Sequence, residues 1–382
     1  MTAGGTLEAQ RPGNSARERL RRERPVPLFP LEAAWTRPLP AAPSQGPAID
    51  SRRVYVALTD NTVLAADRDT GEPAWTAAAP AVLPPVAATD VVLVAGERSL
   101  AALGSEDGTP RWASPLEQPP HWLLVADGLA LVGLGPRVRA LALADGAVRW
   151  TLDLDAPVRT RPAAAAGALV VADDQGRVTV LDLAAGTRRW TRALPGRPGA
   201  VTMTADQVFV GTTAREFHAL AAADGTTRWS WRTGGDVAGA RADGDRVFVT
   251  TLDNLVRALD AATGNQRWKA TLTTRPAGAP LLLTNLVVVA GISGRVDGFA
   301  RKTGAAAGLL LPAAELAGEP GILAALEPFR VAAVVATRAG VLTGLRPERM
   351  MFREPRSAPL TVLPGRRAIP EPVPSAAGLR ER

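Results

Sequence analysis

Short β-branched runs recur along most of the chain, each closed by a turn: VYVAL (54–58), VVLVAG (91–96), ALVVAD (168–173), QVFVGT (207–212), RVFVTT (246–251) and LVVVAG (286–291). A stretch of small apolar residues precedes each run, as in Pro85-Val86-Ala87-Ala88 or Pro162 to Ala166. An alternating apolar/polar segment follows, as in NTVLAADRD (61–69), GRVTVLDL (176–183) and DNLVRALD (253–260). Period-two alternation between turn signals predicts strands. The chain reads as all-β.

A fourth segment completes each unit: a glycine turn followed by a tryptophan strand. The copies are DTGEPAW (69–75), DGTPRW (107–112), DGAVRW (145–150), AGTRRW (185–190), DGTTRW (224–229) and TGNQRW (263–268), with a degenerate TGAAAG at 303–308. Their glycines, Gly71, Gly108, Gly146, Gly186, Gly225, Gly264 and Gly304, are 37 to 40 residues apart. Such a period marks an array of one supersecondary unit that buries its apolar face on its neighbours. Four antiparallel strands per unit, repeated radially, form a β-propeller blade. The glycine supplies the positive φ of a tight turn. Inner strands are expected near 47–50, 84–89, 121–126, 161–166, 199–204, 237–242, 278–283 and 320–326, giving eight blades. The last unit has no tryptophan phrase, whereas LEAAWT (31–36) is a fourth strand with no third strand before it. Residues 31–38 are therefore expected to complete blade eight and close the ring, which removes its open join. The rival count is seven blades with a loose C-terminal segment.

The expected organisation is a propeller over 31–347 between Arg/Pro-rich disordered tails, 1–30 and 348–382. Charge changes the picture little. Of 44 basic and 37 acidic residues, residues 1–34 hold six Arg against four Glu, and 346–382 hold eight Arg against four Glu. The remaining 30 basic and 29 acidic residues leave the body near neutral. That gives no reason to expect nucleic-acid binding, which relies on many Lys/Arg contacts to phosphate. No run approaches a membrane span. There is no cysteine, which excludes disulfides and Cys-based metal sites. The N-terminus shows neither an apolar signal core nor a lipid-attachment cysteine, so a cytoplasmic location is expected from the sequence as given.

The T/D-G-x-x-x-W phrase on four-stranded blades resembles the pyrroloquinoline-quinone (PQQ) type propeller repeat over about 31–346. That family holds quinoprotein dehydrogenases and non-enzymatic propellers, notably the eight-bladed lipoprotein of the outer-membrane β-barrel assembly machinery. The segment from Trp150 to Leu181 looks particularly like the latter. The resemblance implies that Trp35, Trp75, Trp112, Trp150, Trp190, Trp229 and Trp268 dock blade on blade. It also implies that the loop after the third phrase, Val158, Arg159, Thr160 and Arg161, contacts a protein partner. It places such a protein in the periplasm at the outer membrane, against the cytoplasmic expectation above.

Candidate chemistry is sparse. Asp153, Asp155, Asp173 and Asp174 are of a type that ligates calcium, as the dehydrogenase reading needs, yet Asp153 alternates within a strand and Asp173-Asp174-Gln175-Gly176 reads as a hairpin turn, so the structural reading is preferred. His121 and His218 stand 97 residues apart and are read as structural. Arginine precedes the tryptophan in five phrases (Arg111, Arg149, Arg189, Arg228, Arg267), where charge on an outer strand discourages edge pairing. Acidic turns are expected to concentrate on one face of the ring and Arg-bearing loops on the other. The expectation is a non-enzymatic, monomeric scaffold that binds another protein and holds no cofactor. A PQQ-dependent dehydrogenase relative is the alternative.

Overall fold

The computed structural model describes residues 31–283, 285–293, 295–310, 321–322 and 330–347. The expected tails, 1–30 and 348–382, lie outside these residues, as does most of the last inner segment, 320–326. The described residues form eight four-stranded antiparallel sheets and no helix. Blade 1 runs Ala48–Ile49, Arg53–Ala57, Thr62–Asp67 and Pro73–Ala78 from inside to outside. Blades 2 to 7 repeat that order, with inner strands Val86–Ala88, Trp122–Ala126, Ala163–Ala165, Pro198–Met203, Val237–Asp243 and Leu281–Leu282. The fold is the eight-bladed propeller that the repeat predicts, and the count of seven is set aside.

Blade 8 is built from both ends of the propeller. Gly321–Ile322, Ala333–Thr337 and Val341–Pro347 take Leu31–Pro38 as their outermost strand. Register runs from Leu31↔Pro347 to Pro38↔Val341, with one bulge between Ala33 and Trp35. A second latch sits beside it: Asp69 of blade 1 accepts hydrogen bonds from the Arg330 guanidinium at 2.7 Å and from the Val331 backbone N–H at 3.2 Å.

The apolar core is divided among the joints between blades. Eight buried clusters each draw residues from two adjacent blades. The middle strands supply most of them because both faces of a middle strand are covered; Val91–Ala95 and Ala168–Ala172 are buried at every position. This is why those runs are continuously apolar and the outer strands are not.

One repeated irregularity explains the arginine before the tryptophan. In blade 2, Leu103 faces Pro110 and Ala102 faces Trp112, so Arg111 is the extra residue of a β-bulge. The same skip occurs at Arg149, Arg189, Arg228 and Arg267. Simple alternation does not hold there. A bulge carrying a charge twists and protects an exposed edge. Arg189 and Arg267 also pair with Asp182 and Asp260 in their own blades' turns.

Candidate protein-docking mouth

Antiparallel blades sort the loops by face. The blade-to-blade loops and the hairpins between second and third strands open at one mouth of the ring. The hairpins between first and second strands, and the glycine turns, open at the other.

The glycine mouth is built by the tryptophans. Each indole lies against the turn glycine of the next blade: Trp35 on Gly71, Trp75 on Gly108, Trp112 on Gly146, Trp150 on Gly186, Trp190 on Gly225, Trp229 on Gly264 and Trp268 on Gly304. Each Nε1–H donates to the carbonyl three residues before that glycine, at 2.8–3.1 Å. The glycines have φ between +69° and +75°. Trp35, Trp150 and Trp268 are buried, while the other four are half-buried. The acidic residues of these turns are occupied. Asp67 Oδ1 accepts from the Asp69 and Thr70 backbone N–H groups, and Asp107, Asp224 and Asp260 take the same role.

The opposite mouth holds a pocket of about 370 Å³ across the entry loops of blades 1 to 4. Its lining includes Pro47, Pro84 and Pro85, the buried Trp122, and the exposed His121, Arg159 and Arg161. Trp122 is outside the repeat. It lies beside Gly133, where an added methyl would collide with the indole. Its Nε1–H donates to the Val158 carbonyl at 2.9 Å.

The four residues of the expected partner loop differ in what they can offer. Val158 is fully buried (0 % exposed) in the joint between blades 3 and 4, so its side chain is closed to a partner. The apolar signal there reflects core packing. Arg159 and Arg161 are exposed. Arg159 pairs with Asp174 at 2.8 Å, and Thr160 Oγ1 donates to the Pro198 carbonyl at 2.7 Å, which fixes the loop between them.

The four aspartates weighed as calcium ligands are matched to arginine or to backbone. Asp153 takes a bidentate contact from Arg137, and Asp173 and Asp155 flank Arg177 at 2.7 and 2.8 Å. Among the described residues, no group of three or more His, Asp or Glu could hold a metal ion. His121 is exposed at the pocket rim, and His218 is buried in the third strand of blade 5, so the structure does not bring them together into one site. Burial pushes the His218 imidazole below its ordinary value, against the opposing pull of Glu216 at 3.2 Å.

A second cavity of about 390 Å³ is lined by inner strands of blades 3 to 7. Arg161 at the mouth and Arg241, exposed on strand Val237–Asp243, both border it. Sequence reasoning missed Arg241, although one arginine in an inner strand whose other residues are Val, Ala, Gly and a terminal Asp243 was a visible signal.

The architecture and the repeat define a PQQ-like propeller. A family model described as outer membrane protein assembly factor BamB matches residues 32–126, 120–204 and 174–314. The chain belongs to that family. A curated relative, the outer membrane protein assembly factor BamB of Yersinia pestis, is 30% identical over 179 residues. That match spans 40% of this chain and 44% of the relative, less than half of its length. Among solved structures, BamB from Moraxella catarrhalis aligns with a TM-score of 0.64 at 17% identity, covering 83% of this chain and 99% of that one. The designed protein Ika8 aligns at 0.70 (13% identity; 81% and 97% covered) and Saccharomyces cerevisiae Sqt1 at 0.68 (9%; 81% and 96%). At these identities the structural likenesses show the fold alone.

Proposed function

We propose that this propeller is a non-catalytic scaffold that binds a protein component of outer-membrane protein assembly. Family membership is the observation that carries this reading. The geometry supports it: the exposed Arg159 and Arg161 flank a pocket with an apolar wall, and the acidic side chains nearby are engaged in fixing loops. Cationic side chains around an apolar patch are suited to steering and orienting a protein partner of opposite charge. The dehydrogenase alternative would require a constellation of ligands and a base around a bound quinone. Asp153, Asp155, Asp173 and Asp174 are instead each committed to an arginine.

The same reading locates the protein at the outer membrane, on the periplasmic side. The cytoplasmic expectation rested on where the sequence begins, and the role named for the relatives favours the other placement. The test is affinity capture of the full chain from its own cells, followed by mass spectrometry, beside the Arg159→Glu/Arg161→Glu variant. The proposal expects an outer-membrane assembly component that is enriched with the native chain and lost with the variant. Identical partner sets for the two, or none from that machinery, would sink it.

A further inference from the structure

Six aspartates along the chain are followed by glycine: Asp107, Asp127, Asp145, Asp224, Asp243 and Asp297. In that dipeptide the backbone nitrogen beside the carboxyl is least screened, because glycine carries no side chain. Five of the six pairs are held by the fold. Asp107, Asp145 and Asp224 lie in glycine turns, where each carboxylate accepts the backbone N–H two residues on, at 2.9–3.0 Å. The glycine N–H of each of those turns donates to the carbonyl four residues before it, at 2.9 Å. Asp297 is buried in the third strand of blade 7 and accepts from the Thr273 N–H and hydroxyl at 3.0 Å. Asp243 pairs with Arg301. Asp127 is the exception. Asp127 and Gly128 are exposed and form the two-residue turn between Ala126 and Leu129, with φ of +45° and +75°, the type I′ pattern. Among the described residues, no hydrogen bond or ion pair engages the Asp127 side chain or the Gly128 N–H. A methyl placed on Gly128 would meet no heavy atom within 4 Å.

We infer that Asp127–Gly128 is a site of spontaneous covalent modification, isomerisation to isoaspartate, against which the fold protects the other five pairs. The Gly128 nitrogen attacks Cγ of the neutral Asp127 carboxyl. A C–N bond forms, and the carboxyl hydroxyl leaves as water with the proton of the nitrogen. Water then adds to either carbonyl of the cyclic imide. One opening restores aspartate, and the other leaves the main chain running through Cβ, with the α-carboxylate as a branch. No co-reactant is needed beyond the water released and taken up again. The product has one more carbon in the main chain of the turn. That turn is tied to the joint between blades 2 and 3: the Gly128 carbonyl accepts the Leu143 N–H at 2.9 Å, and the Leu143 carbonyl accepts the Trp112 Nε1–H at 2.8 Å. Lengthening the turn displaces the first carbonyl of this relay and loosens the seat of an indole.

The test is to age the full chain for weeks at neutral pH and physiological temperature, both native and in guanidinium chloride. Isoaspartate is then counted by methyl transfer from S-adenosylmethionine with a protein isoaspartate methyltransferase, and located by peptide mapping. In the native chain the yield at Asp127 should exceed that at each of the other five sites by about tenfold or more, the factor for one hydrogen bond to a charged group. In denaturant that preference should disappear. Asp127→Gly keeps the turn, since Gly-Gly suits type I′, and should abolish the product. Asp127→Asn should accelerate the reaction, because an amide, unlike a carboxylate, carries no charge to repel the nucleophile. The aged native chain should melt below the fresh one and exchange its Trp112 indole N–H faster, whereas aged Asp127→Gly should do neither. Comparable isoaspartate at Asp107, Asp145, Asp224 or Asp243 in the native chain would overturn the inference. So would a preference for Asp127 that persists in denaturant, which would assign it to local sequence instead of the fold. Modified protein with unchanged melting and unchanged Trp112 exchange would overturn the link to the blade joint.

Discussion

Each repeat tryptophan fills the joint between blades, and its N–H satisfies a carbonyl that the turn would otherwise strand. The fit runs both ways. At Gly146 an added methyl would stand 2.5 Å from the Trp112 ring, on a backbone with φ of +70°. Gly146→Ala should therefore destabilise by at least about 1–3 kcal/mol, the range for overpacking and for strained backbone. Trp150→Ala, at a buried ring, should cost about 3–5 kcal/mol. Urea unfolding of both variants checks this, and a change within about 0.5 kcal/mol, typical of surface positions, would contradict it.

Ionisation is also a residue-scale matter. The Arg267 guanidinium and the Thr263 backbone N–H hold the Asp260 carboxyl down to about 2. Asp182 is lowered by Arg189, and Asp107 and Asp224 chiefly by backbone N–H groups. A depressed carboxylate stabilises the fold above its unfolded value and loses that stabilisation as pH falls toward 2. His218 acts in the same direction at higher pH. Its folded value lies below the ordinary 6.5, so the unfolded chain takes up the proton first and stability falls as pH drops below about 6.5. Melting temperatures should decline in two steps on acidification, and His218→Gln should remove the upper one. An unchanged upper step would exclude His218 as its source. The tryptophan spacing was open to a reader of the sequence. The role of Val158 was not, because its burial depends on Trp122, a residue from a different blade and outside the repeat.

At the scale of elements, blade joints differ in quality. Among the described residues, seven of the eight clusters include an indole, whereas the joint between blades 7 and 8 holds only Leu, Val and Ala, with Leu283, Val288, Val335 and Leu345 among its members. The topology gives the reason. Blade 8 takes its third and fourth strands from opposite ends of the propeller, so no glycine turn joins them and an indole on blade 7 would have no such turn to receive it. Gly308 stands there instead, opposite Gly298. Amide exchange should accordingly be fastest, among equivalent middle strands, in Leu286–Ala290 and Ala333–Thr337, and slowest in strands at indole-filled joints such as Ala168–Ala172. Uniform protection around the ring would contradict this. Strand identity and order were legible because a middle strand is apolar on both faces. The bulge at the arginine was not, since the arginine is the second residue of its strand and no alternation is established before it that the extra residue could break.

For the molecule as a whole, everything proposed of the mouth depends on a closed ring that brings the entry loops of blades 1 to 4, with Arg159 and Arg161, to one pocket. Closure was readable from a tryptophan strand without a preceding partner at residue 35 and a unit without its tryptophan near residue 345. The inner-strand cavity was not readable, because residues from blades 3 to 7 converge there from segments about forty residues apart. Closure also has the most direct test. Thr36 and Thr343 face each other across the latch, with their hydroxyl oxygens 3.4 Å apart, and the native chain has no cysteine. In the Thr36→Cys/Thr343→Cys variant, air oxidation should form an intramolecular disulfide. It should stabilise the fold by about 2–4 kcal/mol, reversibly with reductant. Two thiols that stay open to alkylation in the folded protein, with no rise in melting temperature, would show that the first and last strands do not meet.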